Sequence, residues 1–169
     1  MSIRNGIGDI RFMNALFTTA EQEAHAVGDD VPGAEHLLLA ALALPDDSGR
    51  RALTTCAVTI EDVRGAIAAT HADALRFAGV APQDAHLAGA ASARKSEGPF
   101  RSSGTAQLVF QRAIALSKLD RPPSLRAAHI VLAVAELEHG TSSRVLRRLR
   151  IDPAMLQRAA REAMTSPGR

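Results

Sequence analysis

The chain has 169 residues, enough for one core or two small subdomains, and 46% of them are hydrophobic, with no Trp, no Tyr and five Phe. The apolar share is carried mostly by Ala, Leu and Val, and the β-branched and aromatic runs of strands are missing, so the composition excludes a sheet protein and predicts an all-α fold. The net charge of +2 is uneven: residues 12–78 hold four basic and ten acidic side chains, residues 100–169 twelve basic and five acidic, so one half suits cations and the other anions.

In chain order, the opening "MSIRNGIGDI" lacks an apolar signal core, which predicts no export segment, and residues 1–8 are expected to fray. An amphipathic helix follows, with Leu16, Phe17, Ala20, Ala24 and Val27 at spacings of three and four. Next comes "GAEHLLLAALAL", whose residues 37–44 form the longest apolar run, eight residues. That is far short of the roughly 20 needed to cross a bilayer, so no membrane association is expected. A helix apolar all round is a buried one. A short helix "SGRRALTTC" carries the single cysteine, Cys56, read as small core filler. One cysteine rules out an internal disulfide framework and suits a reducing cytoplasm. "TIED" then has the spacing of a capping box and opens a fourth helix presenting Val63 and Ile67.

Residues 79–104 hold four Gly, four Ser and two Pro and read as a flexible connector, with a marginal helix at 84–95. Beyond it the four-helix pattern returns. Sliding the chain by 93 residues places Phe17 on Phe110, Ala20 on Ala113, Ala34 on Ala127, His36 on His129, Leu39 on Leu132 and Leu53 on Leu146, with no gap between residues 13 and 67. Helix starts coincide as well. Ser48 falls on Thr141 and Thr59 on Asp152, all good N-cap types, and Pro153 takes a first helical position. The expected architecture is a single domain over 1–169. Repeat one spans 12–78, the connector 79–104 and repeat two 105–164, giving two pseudo-symmetric four-helix repeats.

"GAEHLLLAALAL", between an Ala-rich amphipathic helix and a short helix with a "VTIEDVR" helix, resembles the Clp N-terminal repeat, which occurs twice in the N-domain of ClpA- and ClpC-type unfoldases. The motif's core is Gly-Thr-Glu-His followed by Leu/Ile-Leu-Leu. Gly33, Glu35, His36, Leu37, Leu38 and Leu39 match it, and Ala34 replaces Thr. The second copy keeps His129, Ile130 and Leu132 but reads "RAAH". The resemblance covers roughly 12–164 and implies a non-catalytic module that binds adaptors, client proteins, degradation tags such as phosphoarginine, or cyclic peptides, as an accessory subunit or decoy in the Clp machinery. No G-x-x-x-x-G-K-[ST] occurs, so an ATPase motor and a bound nucleotide cofactor are not expected.

His36 and His129 are read as structural. Each stands in the first turn of a buried helix, where the dipole disfavours imidazolium, and no second ligand stands at metal spacing, so no metal site is expected. Glu35 is the carboxylate that the resemblance assigns to tag binding; Ala128 replaces it in the second copy. Arg144, Arg147 and Arg148 share one face of a short helix and are a candidate landing site for an acidic partner. Phe100 and Arg101, at the connector's end, are a candidate anchor. The alternative function is nucleic-acid binding through the basic half, opposed by the lack of interleaved aromatics for base stacking.

Overall fold

The computed structural model describes residues 3–79 and 102–165. The described residues hold eight helices and no strand: α1 (Ile3–Ala26), α2 (Ala34–Ala43), α3 (Ser48–Thr55), α4 (Ile60–Phe77), α5 (Gly104–Ser117), α6 (Ala127–Ala135), α7 (Thr141–Arg148) and α8 (Pro153–Thr165). The fold class is all-α, as the composition predicts. The marginal helix expected at 84–95, Phe100 and Arg101 lie outside the described residues, as do residues 166–169. Of the start expected to fray, residues 1 and 2 lie outside the described residues and Ile3 onward belongs to α1. Asp9 on that helix accepts the Leu125 backbone N–H at 3.1 Å, fastening the start of α1 to the segment entering α6.

The two apolar segments are the centre of the molecule. Every residue of α6 is buried, and α2 is buried from Ala34 to Leu42. With no polar face to turn to water, each helix must be covered on all sides, and the two pack against each other. Around this pair the other helices are exchanged between repeats. α1 lies on α2 and α5 on α6, within a repeat, but α3 packs against α8 and α4 against α7. Each repeat thus completes the cover of the other's central helix, and one contiguous core runs from Leu16 to Ala163. Burying each of Leu37, Leu38, Ile130 and Leu132 contributes about 1.5–3 kcal/mol.

Phe17 and Phe110 face each other edge-on with ring centroids 4.7 Å apart. A residue meets its own counterpart only near a two-fold axis, so this pair marks the pseudo-symmetry axis that the 93-residue offset implies. A second close approach needs glycine. A Cβ on Gly49 would stand 3.1 Å from both the Ala127 Cβ and the Ala41 carbonyl oxygen, so its absence lets α3 settle against α2 and α6.

Thr59 caps α4: its hydroxyl accepts the Asp62 N–H at 3.2 Å, and Asp62 accepts the Thr59 N–H at 2.9 Å. The Asp62 carboxyl is held below the usual carboxylate range by those hydrogen bonds from Thr59. In the second copy Asp152 accepts from the Ala154 N–H at 3.0 Å, ahead of Pro153. Ser48, expected as an N-cap, is the first helical residue of α3, and its hydroxyl serves elsewhere. It accepts the Ala128 N–H at 2.9 Å, while Asp46 accepts the Ala127 N–H at 2.6 Å. Two residues of repeat one therefore satisfy the free N–H groups that open α6 of repeat two.

Candidate functional site

The first turns of α2 and α6 show how one scaffold yields two different surfaces. In both, the histidine three residues into the helix turns its ring back. His36 Nδ1 accepts the Gly33 N–H at 3.0 Å, and His129 Nδ1 accepts the Arg126 N–H at 3.1 Å. Both rings are fully buried. An accepting Nδ1 leaves the proton of the neutral ring on Nε2, and each Nε2 is aimed at a carboxylate, Asp29 Oδ2 at 3.6 Å and Asp120 Oδ2 at 3.2 Å.

Burial above all, with help from His71, holds the His36 imidazole down at about 4. Burial likewise lowers His129, opposed by Asp120. The unfolded chain takes up protons that these folded rings refuse, so stability declines as pH falls from about 6.5 toward 4 and levels off below. Glu35 and Asp29 are both raised, chiefly by burial. They act in the opposite sense, weakening the fold as pH rises through their folded values. Replacing His36 by Asn is expected to flatten the urea-midpoint profile over the histidine window by up to about 1.4 kcal/mol per pH unit. An unchanged slope contradicts this assignment.

Beyond the histidines the two helix starts diverge. At α6, Arg126 stands where repeat one has Gly33. Its guanidinium reaches the Met164 carbonyl at 2.6 Å, beside Arg51 on the Ala163 carbonyl at 2.7 Å. These cations close the C-terminal end of α8, where free carbonyls and the dipole favour positive charge. At α2, Gly33 leaves space and Glu35 fills it. A Cβ at residue 33 would come within 2.4 Å of Glu35 Oε1, so the carboxylate lies directly over the glycine. Glu35 is only 7% exposed, and a hydrogen bond from its own backbone N–H opposes the rise that burial causes.

Around Glu35 gather Asp29, from the turn after α1, and His71, from the middle of α4; the ligating atoms of all three lie within 4.8 Å of one another. His71 Nδ1 is 3.6 Å from Asp29 Oδ2, and its ring meets that of His36 edge-on at 6.0 Å. Arg144 on α7, from the other repeat, adds a positive charge that Glu35 feels. Sequence reasoning named Glu35 and Arg144 separately, and the Arg144 charge slightly opposes the rise at Glu35. That reasoning missed Asp29 and His71, which carry no local motif.

The arginines of α7 separate. Arg144, Arg147 and Arg148 are all exposed, but Arg148 pairs with Asp73 of α4, joining the repeats along α4 and α7, and Arg144 also leans on the Thr141 hydroxyl at 3.4 Å. Cys56 is half-buried against the core, with its thiol pushed up by burial.

No family model matches the chain, and no curated protein matches it. Among solved structures it is similar to the N-terminal domain of the caseinolytic protease associated chaperone ClpD from Arabidopsis thaliana. The identity is 20% and the TM-score 0.58, over 91% of this chain and 95% of that one. The chain therefore has the fold of a Clp N-terminal domain, as the duplicated segment suggests. No described helix is long and apolar enough to cross a membrane.

Proposed function

We propose that the chain is a non-catalytic binding module of the Clp system, working through Glu35 and its neighbours at the first turn of α2. The observation that carries this reading is a buried carboxylate, Glu35, laid over a glycine at the start of a central helix in a Clp N-terminal domain fold. A carboxylate raised by burial gains from a cation that pairs with it, and a guanidinium fork offers two parallel N–H donors. Its neighbour Arg144 adds positive charge suited to an attached phosphoryl group. Phosphoarginine on a client segment presents both charges together, and adaptors or cyclic peptides are further ligands of the same class of surface.

The equivalent place in repeat two supports a single site rather than two. Ala128 brings no carboxylate, and Arg126 fills the position of Gly33 with its guanidinium turned onto the Met164 carbonyl. The basic patch gives little support to nucleic-acid binding, because Arg148 is spoken for by Asp73 and Arg144 leans on the Thr141 hydroxyl. Calorimetric titration with free phosphoarginine is expected to show binding to the wild type and at least about a tenfold loss in Glu35→Ala, the scale of one charge-assisted hydrogen bond. Equal binding by both proteins, or by neither, overturns the proposal.

A further inference from the structure

The cluster around Glu35 has a second property, separate from peptide capture. Asp29, Glu35 and His71 come from three elements, yet their ligating atoms lie within 4.8 Å of one another. His71 Nδ1 and Asp29 Oδ2 are 3.6 Å apart, near the roughly 3.3 Å that ligands bonded at about 2.0–2.1 Å keep around a tetrahedral ion. Glu35 is buried, while the Asp29 and His71 side chains are 39% and 22% exposed, so the cluster opens to solvent on one side.

A fourth group points into the cluster. His36 Nε2 is completely buried and has no hydrogen-bond partner. Because Nδ1 accepts from Gly33, Nε2 bears the proton and is no metal ligand. It stands 3.6 Å from Asp29 Oδ2, beyond hydrogen-bond reach. A buried N–H left unpaired is costly, and a donor aimed at a carboxylate is the usual outer-shell support for a ligating group. The second repeat lacks the set. Moving 93 positions on from Asp29, Glu35 and His71 gives Pro122, Ala128 and Met164, none offering a carboxylate or imidazole, and there His129 faces Asp120 alone.

We propose that Asp29, Glu35 and His71 bind a divalent transition-metal ion of the Zn²⁺ type, with His36 orienting Asp29 from behind and water completing the shell. Two carboxylates with one imidazole suit such an ion. Arg144, whose charge reaches Glu35, is exposed on α7 and is no part of the ligand set. The proposal does not depend on the tag reading, although both use Glu35.

Calorimetric titration of chelator-treated protein with zinc chloride, without peptide, is the test, with cobalt absorption as a spectroscopic check on imidazole and carboxylate ligation. One equivalent is expected to bind and to raise Tm. Affinity is expected to fall about tenfold or more in both His71→Ala and Asp29→Asn, each checked for helicity by circular dichroism. His139→Ala, an exposed histidine away from the cluster, should leave binding unchanged. Absence of binding, binding that survives both cluster substitutions, or loss on His139→Ala overturns the proposal. Since no peptide is present, its failure leaves the phosphoarginine result standing, and the reverse also holds.

Discussion

Leu37→Ala and Ile130→Ala are each expected to destabilise the protein by about 3–5 kcal/mol, and either is expected to unfold both repeats in one transition. The two residues occupy equivalent positions on α2 and α6 and are fully buried. Truncating either opens a cavity in a core whose helices are fixed from several sides, so the surroundings collapse little. Cooperativity follows from the exchange of helices: α3 rests on α8 and α4 on α7, so neither repeat can lose its packing alone. Urea denaturation followed by circular dichroism checks both points. Two separated transitions, or a loss under about 1 kcal/mol, contradict a shared core.

The second large effect is expected at Asp46, which shows no helix-capping signature of the usual kind. Its carboxylate accepts the Ala127 N–H at 2.6 Å and the Ser48 N–H and hydroxyl at 3.0 Å each, while Ser48 passes the network on to the Ala128 N–H. Removing the carboxylate leaves N–H groups unpaired at the start of a buried helix and strips negative charge from its positive dipole end. Asp46→Ala is expected to cost about 2–3 kcal/mol. Asp47→Asn, one residue along, loses the ion pair with exposed Arg50 but keeps a residue type suited to the left-handed backbone there (φ 54°), and should cost well under about 1 kcal/mol. Equal losses in the two variants contradict the cross-repeat cap.

Much of this fold is visible in single residues read at helical spacing. The unbroken apolar surface of residues 37–44 says buried helix whatever its neighbours. The Thr59–Asp62 box is local, so the four-residue pattern reveals it. Pairing between helices is not local. Nothing in the sequence around α3 distinguishes α4 from α8 as its partner, because a short amphipathic helix records that it is covered but not by what. Ser48 shows the same limit, since its residue type suggests a cap on its own helix while the fold spends its hydroxyl on another. At the site, Glu35 was legible through its motif, whereas His71 sits 42 positions from Asp29 inside an ordinary amphipathic helix, and only the packing of α4 against α2 joins them.

The claim on which the functional account rests is that one repeat kept a ligand-binding carboxylate at the start of its central helix and the other lost it. An amide-resolved NMR titration with a phosphoarginine peptide tests this most directly. Shifts are predicted at Gly33, Glu35, His71 and Arg144, with the amides of Arg126, Ala128 and Met164 left in place. Matched shifts at both sets, or movement at neither, would contradict it.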